Sequence, residues 1–290
     1  MACLSYESLT GSELYVYELS RKLKELGCEV TIMSPKIGSP LLNLTRMQGI
    51  EVIQPQATKG MSFDIIHCQH VPVVEMLCRV FPDTPKVCTI HSEIISLEKP
   101  VLHQSIKKYI SIRPSITRVL RELSVKGTDI AEICNPINEE RFSREGTEKR
   151  PYALFVGTLD YLRKETVYDL MHDTKTKQIK LILIGSDIAG YAHDLKKNDH
   201  VIHQNPYFNI ETHVKKCLYT AGIMLGRTTI EGWMCGKAGW IYNVNDAGKI
   251  LAKNYVEPPL DLEKYYSSKV AQQVFDLYES VLTIAPEINN

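Results

Sequence analysis

The chain has 290 residues, of which 44% are apolar and 23% charged, and Lys plus Arg (34) balance Asp plus Glu (34). That length suits two domains of ordinary size rather than one small core, and the composition is normal for a soluble globular protein. Zero net charge excludes a bulk electrostatic pull toward nucleic acid or an anionic membrane.

In chain order, Met1 to Tyr6 reads as a very short strand. Ser8 to Glu13 is a turn into a helix that runs to about Leu26, with Leu14, Tyr17, Leu19, Leu23 and Leu26 marking the expected buried face. Gly27 ends it, as a glycine after a helix should. Strands follow at Glu29–Met33 and Phe63–His67, then a helix near Val73–Val80 and a strand from Pro85 through Ile90. Lys108–Ile112 reads as a strand, Pro114–Leu123 as a helix opened by proline, and Asp129–Cys134 as a strand. Repeated β-α-β order implies a parallel sheet covered on both faces.

The pattern breaks between Pro136 and Pro151, where Asn138 to Arg150 is charged and poor in apolar residues, and this segment reads as an interdomain connection. Alternation then restarts, with strands at Tyr152–Val156, Lys180–Ile184, Val201–His203, Gly222–Leu225 and Gly239–Asn243 and helices between them. Leu262 to about Leu282 is a long amphipathic helix with no strand after it. The expected domains are 1–143 joined by a returning helix over 266–290, and 144–265.

Lys107, Lys108, Arg113, Arg118, Arg121 and Lys126 cluster in sequence and read as a solvated face. The eight cysteines are scattered without a CxxC pair, which argues for a reducing compartment and against a disulfide framework or a zinc site. His67 and His70 have no evident third partner for a metal. No apolar run approaches the length of a membrane span, and the first residues are too short and polar for a signal peptide. A cytoplasmic location is the expectation.

Open α/β sheets bind ligands outside the carboxyl ends of their strands. Candidate loops there are Thr10-Gly11-Ser12, His91-Ser92-Glu93, Gly157 to Lys164, Gly185-Ser186-Asp187 and Gly226-Arg227-Thr228. Of these, Gly226 to Lys237 carries the most chemistry: a strand enters Gly-Arg-Thr-Thr, and Glu231 falls in the first turn of a short helix. Helix-start N–H groups and Arg227 favour an anion, while Glu231 suits a hydroxyl-bearing partner such as ribose. An ordinary crossover, with Thr228 or Thr229 as N-cap, fits the same residues. His91 reads equally as a hydrogen-bonded strand-end histidine or a sugar contact, Asp160 and Asp187 as turn residues, Glu13 as a first-turn acid, and Trp233 and Trp240 as core packing.

Taken together, these segments resemble the retaining glycosyltransferases of family 4, which have the GT-B fold. Gly11-Ser12-Glu13 followed by Leu26-Gly27-Cys28-Glu29-Val30 resembles the family's opening pattern, and Phe63 to His67 and Thr89-Ile90-His91 match two later strands. Asn135-Pro136-Ile137-Asn138 with Arg141-Phe142 resembles the junction between its domains. Phe155 to Leu159 with Arg163-Lys164 resembles the start of the donor domain, and Gly226 to Lys237 the nucleotide-sugar motif.

The resemblance implies an α/β fold of two facing Rossmann-like domains and transfer of a sugar from a nucleotide-diphosphate donor, UDP by default, with retention and without a metal or other cofactor. It assigns Glu231 to the ribose, Arg163 or Lys164 to the diphosphate with Lys164 preferred, and Gly11 and Ser12 to backbone approach toward diphosphate or acceptor. Gly157, Thr158, Gly185, Arg227, Thr228 and Thr229 complete the donor side, and His91 stands near the transferred sugar. Two positions depart from the pattern: Ile223 replaces an acid eight residues before Glu231, and Thr158 replaces an arginine. A weakened nucleotide-sugar-binding subunit and a transferase acting on modified nucleic acid are the alternatives. The acceptor and oligomeric state are left open.

Overall fold

A computed structural model of the chain describes residues 1–144 and 150–283. Glu145 to Lys149 of the expected connection, and the end of the expected final helix beyond residue 283, lie outside the described residues. The chain forms two compact units. One comprises Met1–Ser8, Ser12–Pro136 and the chain from Ser267; the other comprises Leu9–Gly11 and Ile137–Tyr266. The division at Pro136 precedes the charged segment, and Ile137 pairs with Tyr266 through a bridge inside the second unit.

The first unit contains β1 (Ser5–Tyr6), α1 (Gly11–Glu25, its first residue counted in the second unit), β2 (Thr31–Met33), β3 (Lys36–Ile37), α2 (Leu41–Met47) and β4 (Glu51–Ile53). It continues with β5 (Ile66–Cys68), α3 (Val71–Val80), β6 (Lys86–Ile90), β7 (Ile106–Ser111), α4 (Pro114–Glu122) and β8 (Ile130–Glu132). β5, β6, β7 and β8 lie side by side and parallel, and β2 pairs with β4 in the same sense. Ala2 bridges Met33 on one side and Cys68 on the other, so a single residue joins the two groups into one sheet.

Helix α1 shows how local chemistry sets an element. Glu13 in its first turn and Lys22 and Lys24 in its last complement the helix dipole. Gly27 takes φ +94°, and the Cys28 N–H donates back to the Leu23 carbonyl at 3.0 Å, which satisfies an end carbonyl that would otherwise be orphaned. The buried stripe is Tyr15, Leu19 and Leu23 at i, i+4 and i+8. The expected face is corrected accordingly: Leu14 is only half-buried and Leu26 is 38% exposed.

The last helix, the seventeen-residue Ser267–Thr283, packs in the first unit through Val270, Val274, Tyr278 and Val281. Its anchor is polar. The Tyr278 hydroxyl meets His67 Nδ1 at 2.5 Å, and His67 Nε2 meets the Thr89 hydroxyl at 2.6 Å. Burial first, then the positive charges of the chain's amino group and His91, hold the His67 pKa well below its ordinary value. Above the unfolded value of about 6.5 the ring is neutral in both states, so its contribution to stability is complete. As pH falls below that value the unfolded chain takes up a proton that the folded chain refuses. Stability should then drop by up to about 1.4 kcal/mol per pH unit from this group, until the folded pKa is reached. Melting curves between pH 7.5 and 5 should show the loss, and His67→Gln should flatten it; an unchanged pH slope in that variant would exclude His67 as the source.

The second unit contains β9 (Tyr152–Val156), α5 (Tyr161–Thr176), β10 (Lys180–Ile184), α6 (Ala192–Leu195), β11 (Val201–Gln204) and α7 (Glu211–Lys216). Then come β12 (Tyr219–Ile223), α8 (Arg227–Met234), β13 (Gly239–Val244) and β14 (Ile250–Val256), which makes the final helix α9. The sheet order is β11-β10-β9-β12-β13-β14, parallel except for the antiparallel β13–β14 pair. Strand β14 was absent from the expected set. Trp233 packs in the core at 4% exposure, whereas Trp240 is half-buried, with Lys253 Nζ 4.7 Å and Lys177 Nζ 5.4 Å from its ring centroid. No helix among the described residues is long and apolar enough to cross a membrane.

Candidate functional site

The second sheet is wound in both directions from its middle. From β9 the chain moves outward to β10 and β11, then returns to the other side of β9 for β12 and β13. Neighbouring crossovers thus diverge between β9 and β12, and such a reversal opens a crevice at the carboxyl ends of the strands. The loops after Val156, Ile184 and Ile223 leave from that end.

These loops are tied to one another. The Gly157 N–H donates to the Ile184 carbonyl at 2.9 Å, and a methyl added to Gly185 would lie 1.9 Å from the Gly157 carbonyl oxygen. Leu159 and Asp187 form a bridge, so the loops after β9 and β10 travel together. Thr158 is half-buried between them. The Thr228 hydroxyl donates to the Val156 carbonyl at 3.1 Å, which fixes the start of α8 to the end of β9. Leu9–Gly11 belongs to the same unit, and a methyl at Gly11 would stand 3.8 Å from Arg227 Cδ. Gly11, Gly157, Gly185, Arg227 and Thr228, far apart in sequence, are therefore linked by a few contacts.

Helix α8 begins at Arg227 with Gly226 as N-cap, and no side chain caps it. The first helical donor bonded along the backbone is Ile230, to the Gly226 carbonyl, which leaves the N–H groups of residues 227–229 ahead of the first helical turn. Met224, just before, takes φ +52°, an uncommon conformation for a side-chain-bearing residue that turns the chain from β12 into the helix. Arg227 and Glu231, one turn apart, form an ion pair at 3.2 Å with side chains 8% and 4% exposed. Thr229 differs: it is 1% exposed, with its methyl carbon against Gly239 and its hydroxyl near Gly222, so its side chain packs into the sheet.

The adjacent cations separate. Asp160 caps α5, accepting the Arg163 N–H at 3.0 Å and pairing with the Arg163 guanidinium. That guanidinium is brought against the glycine loop, since a methyl on Gly157 would meet Arg163 Nε at 3.5 Å. Lys164, one helical step further round, is exposed, and its ammonium stands 5.9 Å from the Tyr191 ring centroid. Of the two cations, Arg163 is the residue beside Gly157. Asp187 acts as a turn residue, accepting the Tyr191 and Ala192 N–H groups.

In the first unit, His91 sits at the end of β6 in a network the sequence did not disclose. The Gln69 side chain donates to the Ser12 carbonyl at 3.1 Å and meets His91 Nε2 at 2.5 Å. A carbonyl only accepts, so the amide turns its NH2 to Ser12 and its oxygen to His91, and His91 Nε2 carries the proton. The His91 N–H donates to Glu98 Oε2, and Glu98 Oε1 lies 3.2 Å from His70 Nε2. His70 Nδ1 accepts the Leu4 N–H, which puts the proton of a neutral ring on Nε2, toward the carboxylate. Burial alone would raise the Glu98 pKa, but the His70 hydrogen bond and the charges of His91 and His70 hold it below its ordinary value. Among the described residues no group of His, Cys, Asp and Glu is arranged to hold a metal ion.

Comparison with known proteins agrees with this architecture. Residues 9–141 match Glycosyltransferase Family 4, the family the sequence resembles. A glycosyltransferase from Rickettsia africae ESF-5 is 13% identical, covers 98% of this chain and 99% of its own, and has a TM-score of 0.68. Anabaena Alr3699/HepE in complex with UDP-glucose is 12% identical over 98% of this chain and 92% of its own, with a TM-score of 0.68. AviGT4, a glycosyltransferase involved in avilamycin A biosynthesis, is 14% identical over 97% and 93%, with a TM-score of 0.64. These likenesses establish the GT-B fold, and with the family match they support a glycosyltransferase enzyme. No curated protein matches the chain.

Proposed function

We propose that the chain is a glycosyltransferase that takes its sugar from a UDP-linked donor with retention of configuration and without a metal, and that the second unit holds the donor nucleotide. The observation that carries this reading is the linkage of Gly157, Arg163, Gly185 and the Arg227–Glu231 pair at the carboxyl end of one parallel sheet. Anabaena Alr3699/HepE binds UDP-glucose on a similar fold.

The chemistry follows from residue types. As the bond between sugar and diphosphate breaks, negative charge grows on the leaving phosphate. Arg163, Arg227 and the N–H groups at the start of α8 supply fixed positive potential for that charge, the kind of stabilisation that usually dominates such steps. Glu231 accepts from ribose hydroxyls. In the first unit His91, with its proton fixed on Nε2 by Gln69, is assigned to a sugar hydroxyl. The eight free cysteines, six of them buried, accord with a reducing cytoplasmic setting, which we also propose.

Calorimetry with uridine, guanosine, thymidine and adenosine diphosphates tests the reading, with UDP expected to bind most tightly. Arg163→Ala should weaken UDP by roughly ten- to a hundredfold, the worth of a charge-assisted hydrogen bond. Lys164→Ala should leave it within about twofold, as for an exposed surface cation. Failure of all four nucleotides to bind would sink the proposal, and a larger loss at Lys164 than at Arg163 would reverse the assignment.

A further inference from the structure

At the opposite end of the second sheet, where β9 and β10 begin, lies a cavity of about 830 Å³. Both strands are five residues long, which puts this end roughly 16 Å from the Gly157 and Gly185 loops. Tyr152 and Lys180 are paired across β9 and β10, so their side chains share one face of the sheet, and Ile182 stands on the same face two residues on. Pro151, Tyr152, Ile179 and Ile182 give the cavity an apolar wall. The Tyr152 hydroxyl donates to the His213 carbonyl at 2.8 Å, which locks that ring in place against α7.

The polar lining is one-sided. Arg150, Lys180 and Lys216 bring three cations to the wall, and Asp199 one carboxylate. Among the described residues none of the three cationic side chains has an ion pair or a side-chain hydrogen bond, whereas most other cations of this unit are engaged, as Arg141 is by Glu211, Arg163 by Asp160 and Lys253 by Asp169. His213 adds no charge near neutrality, because burial, and then the Lys216 ammonium, lower its pKa. Unpaired cations beside an apolar wall fit a ligand with an anionic head and a flat apolar body. The excess of positive charge matches a phosphomonoester, which carries close to two negative charges at neutral pH.

We propose that this cavity is a second binding site, separate from the donor loops, for a soluble phosphomonoester with a flat apolar body. The phosphate would meet Lys180, Lys216 and Arg150, and the body would lie on Tyr152 and Ile182.

Phenyl phosphate is the probe, titrated by calorimetry into the full chain. It should bind saturably and more tightly than inorganic phosphate, and should still bind when UDP is in excess. Lys180→Glu with Lys216→Glu should weaken it by about tenfold or more, as loss of charge-assisted contacts does; both side chains reach the surface, and a melting curve checks the fold. Lys180→Glu alone, at an exposed position, should give a smaller loss in the same direction. Absence of saturable binding, or affinity unchanged in both variants, would overturn the site. Displacement by UDP would assign the anion to the donor loops instead. Binding to vesicles containing phosphatidic acid without binding of phenyl phosphate would also overturn it, in favour of a lipid surface. The donor reading stands or falls on UDP binding alone, so the two proposals fail separately.

Discussion

Gly185→Ala should unfold or severely destabilise the second unit, while Gly157→Ala, on the facing loop, should leave the fold intact and weaken nucleotide binding. The added methyl at Gly185 would stand 1.9 Å from the Gly157 carbonyl oxygen and 2.6 Å from its carbon. Both atoms are backbone, and both strands that lead to them are anchored. Gly157 donates to Ile184 at 2.9 Å, Gly185 donates to Gln204 at 3.0 Å, and the Gly185 carbonyl meets His203 Nε2 at 2.8 Å. No rotamer change relieves such a clash; the β9 and β10 loops would have to part, breaking those hydrogen bonds. A loss of about 4 kcal/mol or more belongs to this class of backbone collision, and it would lower the melting temperature by on the order of 10 °C. At Gly157 the nearest atoms are Phe155 Cε1 at 3.4 Å and Arg163 Nε at 3.5 Å, both on side chains. A methyl there fits at ordinary contact distance, so the melting temperature should stay nearly unchanged, while its bulk on the loop assigned to the diphosphate, beside the guanidinium, should lower UDP affinity. Calorimetric melting of both variants decides the matter: a Gly185→Ala protein that melts with the parent would show the loops to be separable.

The contrast between these two glycines also marks what the sequence could reveal. The alternation of strands and helices was legible because parallel strands buried on both faces leave uniform apolar runs such as Tyr152–Val156 and Lys180–Ile184, each found with its expected ends. Edge strand β14 was not, because one edge lies open to solvent and its residues, Leu251 and Tyr255 among them, are largely exposed. Its signal was the Asn245–Gly248 turn before it, where the Asn245 side chain accepts the Ala247 and Lys249 N–H groups. Helix α2 and strand β4 passed unnoticed because seven and three residues are too few to show a period.

Within the site, the different placement of Arg163 and Lys164 was available in principle. An N-cap aspartate at 160 fixes the phase of α5, and the third residue after the cap faces back toward it. Gln69 and Glu98 carried no such mark. Their partners His91 and Ser12 lie 22 and 57 residues from Gln69, and a polar side chain in a loop gives no sign of which distant group it will meet until the sheet is assembled. Thr229 shows the converse. Its residue type suited an N-cap, but the helix starts one residue after Gly226, and that phase turns the Thr229 side chain into the sheet.

Changing Glu231 should separate a binding role from a structural one, provided that two substitutions and two nucleotides are used together. The carboxylate is 3% exposed and paired with Arg227 at 3.2 Å. Glu231→Ala withdraws one of the partners of a buried guanidinium and opens a cavity. It should therefore lower stability by a few kcal/mol as well as abolish UDP binding, and by itself would prove little. Glu231→Gln keeps the shape and an oxygen for Arg227 but gives up the charge. It should destabilise the fold less than Glu231→Ala, because the amide oxygen still accepts from Arg227, and it should bind UDP roughly tenfold or more weakly, because a hydroxyl donating to an amide oxygen gains less than one donating to a carboxylate. The decisive comparison is with 2′,3′-dideoxy-UDP, which lacks the hydroxyls Glu231 is assigned to receive. The parent should prefer UDP over this analogue by roughly ten- to a hundredfold, since a site built for a hydroxyl leaves its acceptor unpaired when the hydroxyl is missing. In Glu231→Gln most of that preference should disappear, and the non-additivity of the two changes measures the contact itself. An undiminished preference in the glutamine variant would remove Glu231 from the ribose and leave it a structural role that includes its ion pair with Arg227.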